Sequence, residues 1–167
     1  LNQAGALVSI YKDGTILVNH GGTEMGQGLH TKIHQIAAAE FGVSLNRVKV
    51  NATNTSKVPN TSPTAASAGA DLNGMAVKNA IDTLKSRIAT TIVQIFAEAH
   101  PDNPSLHNSI VFKDDWIIDT DHPDRKISFA DAMPLMNLHQ VSLSATGFYK
   151  TPNIGWDKVK GWGMPFN

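Results

Sequence analysis

Eight residues, Gly21-Gly22-Thr23-Glu24-Met25-Gly26-Gln27-Gly28, stand between a β-branched run and a helix-period pattern. Glycines there let backbone N–H groups approach an anion, and the positive end of the following helix adds to the attraction. Neither common nucleotide motif is met. Gly21 and Gly26 have the P-loop spacing, but Gln27-Gly28 stands where Lys-Ser/Thr is required, and Gly26-x-Gly28 is followed by Thr31 where a dinucleotide fingerprint needs glycine. What remains is a turn that cradles a phosphate or a polar ring system, or an ordinary strand-to-helix turn. A second stretch, Asn60-Thr61-Ser62-Pro63-Thr64-Ala65-Ala66-Ser67-Ala68-Gly69, has side chains small enough to press its backbone against a ligand. Seen alone it equally suits a hydroxyl-rich surface linker.

The other reactive side chains give weaker signals. His30 and His34 lie one helical turn apart as zinc ligands can, yet Thr31 replaces the glutamate of a metalloprotease motif and no third ligand is evident. Glu24 lies inside the glycine turn, where a carboxylate commonly complements a helix dipole or caps it rather than acting as a base. Every serine sits in an ordinary hydroxyl-rich context, without a nucleophile elbow.

These residues need elements to hold them. Gly5 to Tyr11 and Thr15 to Asn19 flank Lys12-Asp13-Gly14 as a hairpin, because the Asp-Gly pair favours positive φ. Leu29, Ile33, Ile36, Ala37 and Phe41 then fall at helical spacing, with Gly42 as the stop. Arg47 to Asn51 alternates as a short strand. Asn51 to Gly69 carries almost no apolar side chain, a length that marks a functional or disordered loop, and it is expected to be poorly ordered without a ligand. From Asp71, the positions Val77, Ile81, Leu84, Ile88, Ile92, Ile95 and Ala99 predict a long amphipathic helix ended by Pro101 and Pro104. Ser109 to Phe112 and Trp116 to Ile118 form a second hairpin, Ser128 caps a short helix through Met136 despite Pro134, and Val141 to Thr146 alternates as a last strand. The order of elements reads as an α+β fold, with one medium and one long helix on hairpins and short strands.

Composition narrows the classes. The 167 residues carry 14 basic and 14 acidic side chains, so the basic footprint of a nucleic-acid binder is missing. At 41% hydrophobic the chain can bury a core of its own as one segment, residues 1–167. With no cysteine there is no disulfide, zinc-thiolate, iron–sulfur or thiol chemistry. No apolar run reaches the ~20 residues that cross a bilayer, and no leader opens the sequence as given. Leu1 stands first without Met, while Trp156, Trp162 and Phe166 crowd the end, so the sequence reads as an internal piece of a longer polypeptide. Those aromatics either fold back on its core or meet a partner surface.

Leu17-Val18 through Gly21-Gly22-Thr23-Glu24-Met25-Gly26-Gln27-Gly28-Leu29-His30-Thr31-Lys32, Val58-Pro59-Asn60-Thr61-Ser62-Pro63-Thr64-Ala65-Ala66-Ser67, Asp71-Leu72-Asn73-Gly74, and Ser142 to Pro152 closely resemble the molybdenum-binding part of xanthine dehydrogenases. The resemblance covers nearly the whole chain and is least diagnostic from His100 to Ile127. It implies a molybdenum–pterin cofactor and hydroxylation of a purine with oxygen from water, electrons leaving through iron–sulfur clusters and FAD held elsewhere. It implies that Met25, Gly26, Gln27 and Gly28 contact the pterin, that Thr64, Ala65, Ala66 and Ser67 reach the same cofactor, and that Ala66 lies beside the molybdenum. Gly69 departs from relatives that carry serine there.

The resemblance also shows what these residues do not include. The family's Phe-Gly-Gly-Lys-Glu and Phe-Arg-Gly-Phe-Gly-Gly-Pro-Gln segments and its C-terminal catalytic glutamate are absent, so no catalytic residue is expected here and Glu24 is not given that role. The partners implied are the remainder of the molybdenum subunit, an iron–sulfur/FAD subunit or domain and a small purine, in an oligomeric cytoplasmic enzyme. Two alternatives stand beside this: an aldehyde-oxidase-type hydroxylase, and a non-catalytic ligand-binding or interaction module of the same fold.

Overall fold

The structure, a computed structural model, describes residues 2–57 and 61–164. Strand β1 (Gln3–Ile10) turns through Gly14, at φ 82°, into β2 (Ile16–His20), the Asp-Gly hairpin expected from the sequence. Helix α1 (Leu29–Phe41) follows the glycine turn and stops at Gly42, and β3 (Val48–Val50) returns parallel to β2. Helix α2 (Gly69–Ala99) is 31 residues long and starts two residues before Asp71, which sits in its first turn.

Beyond it, β4 (Ile110–Lys113), β5 (Trp116–Asp119) and β6 (Lys126–Ser128) make a small antiparallel sheet. Helix α3 (Phe129–Leu138) follows directly. Ser128 Oγ accepts the Asp131 N–H at 3.1 Å, the expected cap, and Pro134 is carried within the helix. The last long strand, β7 (Ser144–Lys150), lies three residues further on than the alternation at Val141 to Thr146 suggests. Its pairing with β1 runs from Ser9↔Ser144 to Gln3↔Lys150, which decides where it begins. Strands β8 (Gly155–Asp157) and β9 (Trp162–Met164) form a hairpin of their own. Trp156 and Trp162 are exposed on it rather than folded into the core, and Phe166 lies outside the described residues.

The main sheet has the order β3-β2-β1-β7. Along β1 the alternation puts Ala4, Ala6, Val8 and Ile10 on one buried face, and Ile16 and Val18 of β2 join them. Helices α1 and α2 cover that face with Leu29, Ile33, Phe41, Val77, Ile81, Leu84, Ile88 and Ile92. Helix α3 closes one end, where the rings of Phe41 and Phe129 meet edge-on at 5.8 Å. Such burial is each helix's main source of stability, since propensity alone leaves helices marginal. Among the described residues no helix is long and apolar enough to cross a membrane.

The long helix lies very close to β7. A Cβ at Gly147 would run into the Ala76 carbonyl and come within 2.6 Å of the Ala80 nitrogen, both α2 backbone. Gly147→Ala is therefore expected to cost about 3 kcal/mol, as overpacking against a rigid backbone does. The neighbouring exposed Thr146→Ala should cost less than about 1 kcal/mol. Urea unfolding of the two variants measures the difference.

Candidate functional site

The connection from β2 to α1 leaves the carboxyl end of a strand whose crossover partner, β3, is parallel. Ligands of α/β units lie in that position. Glycine turn and small-residue loop meet there. The Thr23 N–H donates to Thr64 Oγ1 at 2.7 Å, so the two stretches singled out by sequence stand side by side. The second loop is also pinned to β1: Ser62 N–H donates to the Gln3 carbonyl at 2.9 Å, Gln3 N–H to Ser62 Oγ, and Gly5 N–H to Thr61 Oγ1. Protein contacts thus hold this loop from Thr61 onward, and its order does not depend solely on a ligand. Val58, Pro59 and Asn60 lie outside the described residues.

Within the glycine turn, one carboxylate organises the backbone. Glu24 Oε1 accepts the N–H groups of Gly26 at 2.9 Å and Gly28 at 3.0 Å, and Oε2 accepts that of His30 at 3.1 Å. The His30 N–H chiefly, with those of Gly26 and Gly28 and against a desolvation penalty, holds the Glu24 carboxyl below its ordinary pKa. Glu24 is thus the internal anion at the head of α1, the capping role rather than a free base. Gln27 is also folded into the turn, accepting the Met25 N–H at 2.6 Å and donating to the Thr23 carbonyl at 2.8 Å. Gly26 and Gly28 have φ of 100° and 74°, and space is open where a Cβ would project from either. Met25, Gly26 and Gln27 are exposed, and so are Ala65, Ala66 and Ser67. Ala66 holds a left-handed φ of 51°, which few residues other than glycine adopt.

Beneath the turn lies a buried polar group that sequence reasoning passed over. His20 ends β2 at 1% exposure, and its Nδ1 accepts the Gly22 N–H at 3.1 Å. Its ring meets that of His30 edge-on at 5.0 Å. Asn73, at 3% exposure on α2, donates from Nδ2 to the Gly69 carbonyl at 2.8 Å. The available signal was a histidine continuing the inward alternation of Ile16 and Val18 along β2. His34 instead hydrogen-bonds the Leu45 carbonyl at 2.8 Å, and His30 faces His20, so their rings serve separate purposes.

Over residues 1–167 the sequence matches the profile of the molybdopterin cofactor-binding domain family. The chain belongs to this family. It is 45% identical over 170 residues to the xanthine dehydrogenase of Dictyostelium discoideum and 42% identical over 168 residues to the xanthine dehydrogenase/oxidase of Gallus gallus. Each match takes in 100% of this chain and 10% of the relative, so the chain spans about a tenth of the relatives' length. Among solved structures, quinoline 2-oxidoreductase from Pseudomonas putida 86 matches with a TM-score of 0.78 and 20% identity, over 96% of this chain and 22% of that one. A Cu,Mo-CO dehydrogenase matches with a TM-score of 0.73 and 22% identity, over 90% and 19%. At these identities the likeness is one of fold, and the fold is the α+β arrangement expected from the sequence.

The residues present fit a molybdenum–pterin cofactor in three respects. Two small-residue loops lie joined at one sheet end, the turn leaves open space at Gly26 and Gly28, and α1 and α2 both begin there. In this family member the turn's N–H groups on Gly26, Gly28 and His30 already serve Glu24. Ligand contacts would therefore come from the remaining exposed backbone and side chains of both loops.

His20 makes this end of the sheet sensitive to acid. Burial, aided by the neighbouring His30 charge, lowers its pKa from 6.5 to about 4, with opposing help from Asn73 and Glu24. Between those values the unfolded chain binds the proton more readily, so stability falls as pH drops from 6.5 toward 4. The loss attributable to this group is on the order of 3 kcal/mol. His20→Asn, which keeps an acceptor for Gly22, should flatten the stability profile in that window. Chemical denaturation at pH 7 and pH 4.5, with wild type and variant compared, measures it.

Proposed function

We propose that this chain forms one wall of the molybdenum–pterin site of a xanthine dehydrogenase-type hydroxylase. The observation that carries the reading is the Thr23–Thr64 bond, which joins the Met25-Gly26-Gln27-Gly28 turn to the Thr64-Ala65-Ala66-Ser67 loop in a member of the cofactor-binding family. In this reading Met25, Gly26, Gln27 and Gly28 lie along the pterin, Thr64, Ala65 and Ser67 hold it from the other loop, and Ala66 faces the molybdenum. When bound, that group supplies the two-electron redox chemistry by which a purine such as hypoxanthine or xanthine is hydroxylated with oxygen from water.

The chain's own residues bind and orient. Small side chains allow close approach, and Glu24 keeps the turn's amides fixed. No residue here is assigned a proton transfer. Catalytic and substrate-reading groups belong to the remainder of the molybdenum subunit, and the iron–sulfur and FAD centres to a further subunit or domain. The assembled enzyme is oligomeric and cytoplasmic. The xanthine dehydrogenases among the relatives favour a purine over an aldehyde, and the family match favours cofactor binding over a non-catalytic module.

Two measurements test this reading. The 167 residues alone should bind no molybdenum cofactor tightly and form no urate from xanthine, because positioning and acid–base groups that supply many kcal/mol of the barrier are not among them. Stoichiometric molybdenum in the purified chain, with urate formed, would overturn it. Within the complete enzyme, Gln27→Ala removes a polar contact of about 1–3 kcal/mol and should lower molybdenum content while turnover per molybdenum stays near wild type. Full occupancy with collapsed turnover would move Gln27 into the chemistry itself.

A further inference from the structure

Besides Nε2 of His30, two buried polar atoms under the glycine turn have no partner at bonding geometry: Nε2 of His20 and Oδ1 of Asn73. Their chemistry is complementary. Because the Gly22 N–H donates to His20 Nδ1, the neutral ring carries its proton on Nε2, which makes that atom a donor. Because Asn73 Nδ2 donates to the Gly69 carbonyl, Oδ1 is the free end of the amide and an acceptor. The Asn73 side chain acts on the His20 ring in the sense of a hydrogen bond. Both side chains border Gly22: its N–H donates to the His20 ring, and a Cβ on it would meet Asn73 Nδ2 at 2.7 Å. A donor and an acceptor left unpaired in such a place are each costly, and a small closure removes both costs.

We propose that His20 and Asn73 are a positioning pair: Nε2–H of the imidazole bonds Oδ1 of the amide when the cofactor seats the glycine turn, latching that turn to the head of α2. The latch joins the two cofactor loops from below, as the Thr23–Thr64 bond joins them above. Each partner is itself anchored to one loop, His20 through Gly22 and Asn73 through Gly69. A fixed distance between them therefore fixes the gap between the loops. The inference rests on the cofactor-site reading and adds to it two residues buried beneath the loops.

The test is a double-mutant cycle in the complete, cofactor-loaded enzyme. The rate of pterin release on dilution is followed by fluorescence of the oxidised pterin, together with molybdenum content. His20→Asn keeps an acceptor for Gly22 and removes the Nε2–H arm, while Asn73→Leu removes the acceptor together with the bond to the Gly69 carbonyl. Each should speed release on the order of tenfold, and the double variant should release no faster than about threefold beyond the quicker single. Where Asn73→Leu does not accumulate, Asn73→Ser takes its place in the cycle. Single variants within about twofold of wild type, or effects that multiply in the double variant, overturn the latch. A wild-type enzyme that purifies without molybdenum and pterin would instead overturn the cofactor-site reading, and so separates the two failures.

Discussion

The close seat of Gly22 between Leu29 and Asn73 is the constraint on which the functional end of the molecule depends. The two side chains come from different helices, and they leave no room for a Cβ on the strand-to-helix turn. Because Leu29 is the first residue of α1 and Asn73 lies one turn into α2, this contact sets both helix heads against the end of β2. A larger residue at position 22 would force the ends of the Leu29 and Asn73 side chains to move. Packing near solid density transmits such a shift rather than absorbing it. Thr53 closes the same region from the side, its Oγ1 donating to the Gly22 carbonyl at 2.5 Å.

Electrostatics at this end are arranged so that little charge remains unanswered inside. Glu24 supplies the negative charge that the head of α1 favours, and it does so through three backbone N–H groups rather than through a cation. His20, below it, is held neutral by burial. A charged imidazole would set an Nδ1–H against the Gly22 N–H, donor against donor. The same proton that acid adds to His20 thus removes the bond that orients the turn, which links the pH sensitivity of stability to the geometry of the site.

Much of this was legible in the sequence. The Asp-Gly hairpin, the stop at Gly42, the long helix after the second loop and the Ser128 cap follow from local rules of turn, period and capping, and all four are present. Strand β6 was not legible because Lys126–Ser128 is only three residues, too short for alternation to register. Strand β7 was misplaced because Val141 and Leu143 fit the apolar rhythm, whereas its start is decided by pairing with a strand 135 residues away at Ser9–Ser144. At the site, the glycine turn and the small-residue loop announced themselves by composition, and the Glu24 cap by its position. The His20–Asn73 pair did not. Its meaning lies in two residues far apart in sequence, each unremarkable in its own element, and only the approach of α2 to the end of β2 brings them together.

The shape of the site explains why its residue types are so small. On the reading proposed above, a wall along a flat, polar cofactor needs backbone at the surface, and Gly26, Gly28, Ala65 and Ala66 would provide it without side chains that hold the ligand off. Thin loops of this kind have few apolar contacts of their own to offset ordering, which costs roughly 1–2 kcal/mol per residue. Their order has to be imported from the scaffold. The hydrogen bonds from Gln3 and Gly5 to the second loop, the Glu24 clasp within the first and the Thr23–Thr64 bond between them are the means. Each enlists a strand or helix head already fixed by the buried face of the sheet. The loops can therefore stay exposed, Met25 being 65% so, and still keep a defined shape. Preorganisation of that sort spares the cofactor the cost of ordering them when it binds.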